Sequence, residues 1–96
     1  MAERIYNDSG VGRELNAVSV EVLKTDLNTG MTFAHIAQQS TRDPEKKRRN
    51  RANARKAYDS VLDYEKRLEI TEKDKRDIAE KLTRLKSVLI QLGEVF

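Results

Sequence analysis

Ile78, Leu82, Leu85, Leu89 and Leu92 recur at steps of 4, 3, 4 and 3. That spacing puts five aliphatic side chains on one side of a helix and charged residues on the other, so the segment must bury its stripe against a partner. Thr71, followed by Glu72, Lys73 and Asp74, reads as the N-cap, with Asp where a capping box has Glu. Gly93 supplies the stop. A helix over 72–93 is predicted.

The element before it is bounded as clearly. Asp43 is a good N-cap, Pro44 has φ preset for the first helical position, and Glu45 suits the positive helix end. Ala54, Ala57, Val61, Tyr64 and Leu68 step by 3, 4, 3 and 4, with Tyr58 and Leu62 widening the stripe, which predicts a helix over about 44–68. One continuous helix would place Thr71 or Glu72 and then Lys75 in its seam, two polar layers where apolar knobs are needed. A tight turn at 69–71 follows, and helices joined so closely pack as an antiparallel αα-hairpin.

A third stripe lies upstream, where Val20, Leu23, Leu27, Gly30, Ala34 and Ala37 step by 3, 4, 3, 4 and 3, predicting a helix over about 14–41. The alternation Val18, Val20, Val22 would suit a strand, and Gly30 costs a helix interior about 1 kcal/mol, so a break between 26 and 30 is open. Residues 1–12, with Asn7, Asp8, Ser9, Gly10 and Gly12, have little to bury and are expected to be flexible. The fold expected is all-α: a single domain over 13–96, a three-helix arrangement in which the N-terminal helix packs on a C-terminal antiparallel hairpin.

On the first helix Val18, Val22, Phe33 and Ile36 cluster opposite the main stripe, interrupted by Thr25 and Thr29. A helix apolar on two sides needs two partners. A second copy of the chain is the commonest way to supply the second, so these four residues are the candidate interface of a homo-oligomer, a dimer first. A helix broken near Gly30, with both stripes buried inside one monomer, is the alternative.

Charge is concentrated in the middle of the chain. The net charge is −2 over residues 1–43, +4 over 44–70 and +1 over 71–96, and seven cations lie between Lys46 and Lys56. Cations in the first turns oppose the helix macrodipole, so helix stability does not explain them. Arg48, Arg51 and Arg55 fall within about 60° of one another on a helix, and with Lys47 they form a candidate polyanion-binding stripe for nucleic acid or an acidic protein. An antiparallel neighbour would bring its negative C-terminal end and Glu94 close to the same residues. No aromatic residue interleaves with the cations, which points away from single-strand stacking.

Two local resemblances bear on this region. The run from Lys46 to Leu68 resembles the basic region of bZIP transcription factors, with Asn50 and Ala54 placed among arginines. The likeness stops after about a dozen residues: Asn53 stands where the family has a small residue, Tyr58 where it has arginine, and the zipper fails at Thr71 to Lys75. The segment from Asn53 to Leu68 is similar to a helix of tetratricopeptide-type repeats, with Ala54, Ala57 and Tyr58 as packing positions, but no second copy follows. What that similarity implies is helix packing and protein interaction.

The remaining composition narrows the classes further. Cysteine is absent and His35 is the single histidine, so disulfides, zinc fingers and thiol catalysis are excluded. His35 has Gln38 and Gln39, not acids, at i+3 and i+4, and reads as a surface or interface residue. The pairs Asp59 with Asp63 and Asp74 with Asp77 sit among lysines and arginines and read as ion pairs, not metal ligands. No phosphate loop, nucleophile elbow or dinucleotide fingerprint is present. The longest aliphatic run, Val88 to Ile90, is far too short to span a membrane. The expectation is a cytoplasmic, non-enzymatic interaction or scaffold module that self-associates, without cofactor or small-molecule substrate, with nucleic-acid binding by the basic helix start as the alternative.

Overall fold

The structure, a computed structural model, describes the backbone of residues 9–96 and the side chains of residues 20–96. Three helices follow one another: α1 (Ser9–Gln39), α2 (Pro44–Glu65) and α3 (Glu72–Gln91). Among the described residues there is no strand. α1 packs against both other helices, and the α2–α3 contact is the smallest of the three, so the core is organised around α1 and not around the hairpin.

The predicted starts of α2 and α3 are present as built caps. The Asp43 carboxylate accepts from Lys46 N at 3.0 Å with Pro44 at the first helical position, and Thr71 Oγ accepts from Asp74 N at 3.2 Å. α3 closes in a Schellman motif: Glu94 N donates to Leu89 O at 2.9 Å and Gly93 N to Ile90 O at 3.0 Å, with Gly93 at φ 99°.

Two expected boundaries need correction. α1 begins at Ser9, inside the stretch expected to be flexible, because extending a formed helix costs far less than nucleating one; residues 1–8 of that stretch lie outside the described residues. α2 stops at Glu65, three residues early. Arg67 N donates to Tyr64 O and Leu68 N to Glu65 O, i to i+3 bonds that tighten the last turn and release Leu68 and Ile70 to pack on the core from the connecting segment. As expected over about 14–41, α1 is a single helix: it runs unbroken through Gly30, and the break left open between 26 and 30 does not occur.

Gly30 is a packing residue. A Cβ built there would lie 2.9 Å from Ala57 Cβ on α2 and 3.1 Å from Leu85 Cδ2 on α3. All three helices meet at this point, and only a residue without a side chain lets them. Ala34, Ala37 and Ala54 are fully buried as well, and Leu27, Val61, Ile78, Leu85 and Leu89 are the largest fully buried side chains of the core.

Polar bridges set the register of α1 on α3. Lys24 Nζ lies 2.7 Å from Asp74 Oδ1 and 3.6 Å from Asp77 Oδ2, Lys81 Nζ donates to Asn28 Oδ1 at 2.9 Å, and Gln38 Nε2 donates to Gln91 Oε1 at 3.3 Å. The order of these contacts makes α1 and α3 parallel. Lys24 is held above its ordinary pKa chiefly by its hydrogen bond to Asp74, and Asp74 below its own chiefly by the same bond.

Candidate functional site

The basic start of α2 divides into an engaged side and a free side. Arg51 Nε lies 2.9 Å from Glu94 Oε2, and its NH1 donates to Leu92 O at 2.9 Å. Arg55 reaches Asp59 at 3.1 Å, Glu94 Oε1 at 3.1 Å and Val95 O at 2.7 Å, with its guanidinium 4.1 Å from the centre of the Phe96 ring. Phe96 stands edge-on against Tyr58 with ring centres 5.1 Å apart. Arg55 is held above its ordinary pKa, first by Asp59 and then by Glu94.

Two members of the expected polyanion stripe therefore clamp the end of α3. They supply cations and donors to a helix C-terminus whose carbonyls point at them, the favourable sense of the dipole. Arg48 pairs with Glu45 on its own helix. Lys47 is half-buried, and among the described residues it has no ion pair.

The exposed cations without an ion pair among the described residues include Lys46, Arg49 and Lys56. With Asn53 they step by 3, 4 and 3, one face of α2. The stripe expected from the sequence used the other side of the helix, and the 46, 49, 53, 56 spacing was the available signal.

This free face borders a groove between α1 and α2. One depression, of about 300 Å³, is lined by Asp26, Thr29 and Phe33 from α1 and by Asn53, Lys56, Ala57 and Ser60 from α2. A second, of about 620 Å³, opens at the α1–α2 connection between Ile36, Ser40, Arg42 and Lys46. Of the expected oligomer interface, Phe33 is partly buried and packs on the core, Ile36 is partly buried, and Val22 is 50% exposed. Phe33 and Ile36 thus lie beside α2 and not on an isolated back face of α1. The side chain of Val18 lies outside the described residues.

Gly30 lies against Ala57 and the helices run antiparallel, so Val22 comes level with the end of α2, where Tyr64 is 52% exposed. The open flank of the α1–α2 pair therefore carries an interrupted apolar strip from Val22 and Tyr64 to Ile36, with cations along its α2 edge.

His35 is exposed and sits in neither depression. The acidic pairs are spoken for: Asp59 by Arg55, Asp63 by Arg67 at 3.0 Å, and Asp74 and Asp77 by Lys24. Among the described residues no cluster of three or more metal-ligating side chains occurs, and no helix is long and apolar enough to cross a membrane. Comparison with protein-family models, curated proteins and solved structures found no match for the chain.

Proposed function

We propose that this chain is a non-catalytic protein-interaction module, working in the cytoplasm, that docks another helix along the open flank of α1 and α2. The observation that carries this reading is the placement of Val22, Phe33 and Ile36 on that flank, with α3 packed elsewhere on α1. A photoreactive phenylalanine analogue at position 33 should crosslink to a partner protein in cells, whereas the same group at Ile90, a half-exposed site on α3, should not. Equal adducts at both positions, or none at 33, would refute the reading.

Self-association through the same flank is a second reading, favoured by the half-exposed Val22 and Tyr64. It predicts a wild-type dimer in sedimentation velocity that Phe33→Glu or Ile36→Glu dissociates. A monomer across the accessible concentration range removes it.

A further inference from the structure

Resting on the interaction reading above, we propose that the α1–α2 groove takes an acidic amphipathic helix from another protein. Three features of the groove select that occupant.

Its length suits a helix. From Asp26 to Gln39 the α1 wall runs fourteen residues, roughly 21 Å at 1.5 Å per residue, about four turns of a docked helix. Its floor is apolar and shallow. Phe33, Ile36 and the half-buried Ala57 offer carbon surface, while the close approach at Gly30 prevents a deep cleft, so the occupant lies along the groove on an i, i+3, i+4, i+7 stripe instead of inserting a single large anchor.

Its charge is one-sided. Lys46 and Lys56 line the two depressions, Arg49 lies on the same α2 face between them, and Arg42 stands at the connection. Against these four cations the lining contributes Asp26 and Asp43, and Asp43 is already engaged as the α2 cap. Beside Asp26 the α1 edge carries exposed Val22, Thr25 and Thr29, and its one lysine among the described residues, Lys24, is turned to α3. An acidic face on the incoming helix would meet the α2 cations while its apolar stripe covers Phe33 and Ile36.

A second copy fits this pattern poorly, because it would set the same cations against themselves. Nucleic acid fits the cations but leaves the apolar strip beside them without a role, since a phosphate backbone gains nothing from Phe33 or Ile36.

The test uses the full chain, isotope-labelled for amide NMR, and three probes: a synthetic helical peptide of about 16 residues with a leucine stripe flanked by glutamates, the same peptide with every glutamate replaced by lysine, and a short DNA duplex. At low salt the acidic peptide should bind at least about tenfold more tightly than the basic one, with shifts centred on Thr29, Phe33, Asn53 and Lys56. The double variant Lys46→Glu with Lys56→Glu, both at exposed sites, should lose about tenfold for the acidic peptide and gain for the basic one.

Equal or tighter binding of the basic peptide, or tighter binding of the duplex through the same residues, overturns the proposal. Concentration-dependent shifts on the flank without any probe would make the occupant a second copy, overturning this proposal and leaving the interaction reading in place. Shifts from all probes on another face would overturn both.

Discussion

Replacing Gly30 by alanine sets two effects of known size against each other. Glycine in a helix interior is about 0.8–1.0 kcal/mol worse than alanine, so on an open helix Gly30→Ala would stabilise by that amount. Here the new methyl would sit 2.9 Å from Ala57 Cβ and 3.1 Å from Leu85 Cδ2, where carbon atoms prefer about 3.5–4.0 Å. The tip of Leu85 can turn aside, but Ala57 Cβ is fixed to the α2 backbone, so the helices must part by several tenths of an ångström.

Overpacking of this kind costs about 1–3 kcal/mol, which leaves a net destabilisation near 1 kcal/mol, or about 4–8 °C in Tm for a domain of this size. The companion variant Ala57→Gly removes the obstructing methyl. In that background Gly30→Ala should recover its propensity gain, so its effect changes sign and the coupling between the two sites is about 2 kcal/mol. Urea denaturation of the four proteins of this cycle measures it. If Gly30→Ala stabilises the wild type by about 1 kcal/mol with no coupling, the helices do not meet as closely as described and the account of Gly30 fails.

Further outcomes follow from the same structure. Leu85→Ala should cost about 2–5 kcal/mol in urea denaturation, because Leu85 is fully buried where all three helices meet; a loss below 1 kcal/mol would contradict that placement. Glu94→Ala should lower Tm by more than Glu80→Ala, since Glu94 joins Arg51 and Arg55 across two elements whereas Glu80 pairs only with Arg84 one turn away. The Lys24–Asp74 contact predicts stability that is fully present above the unfolded carboxylate pKa and is lost as pH falls through the lowered folded value of Asp74. On the alkaline side the contribution is full below the unfolded lysine pKa and is lost as pH rises through the raised value of Lys24. Asp74→Asn should flatten both limbs in denaturant titrations, and an unchanged profile would refute the assignment. Any retention on heparin should fall with Lys46→Glu, Arg49→Glu and Lys56→Glu more than with Arg51→Glu and Arg55→Glu, because the latter two already hold the end of α3.

The sequence by itself determined the helical class, the number of helices and the starts of α2 and α3. Those features depend on interactions a few residues long: the 3–4 spacing of apolar side chains, and the Asp43 and Thr71 oxygens that accept from nitrogens three residues on. The early end of α2 was less legible, because Leu68 fits the helical period and leaves the helix only because the connecting segment can pack it on the core. Which cations are free was hidden for a related reason. Helical spacing places Arg48, Arg51 and Arg55 together, but it contains nothing about Glu94 and the carbonyl ends of α3 some forty residues on, which claim two of the three.

Gly30 shows the same division most sharply. Local propensity reads it as a weak point where α1 could break, and tertiary structure makes it a place where α2 and α3 side chains come too close for a Cβ. A helix signal is a sum over neighbours in the chain, whereas a close approach is decided by atoms on other elements, so the pattern revealed three helices and packing alone decided which faces they left open.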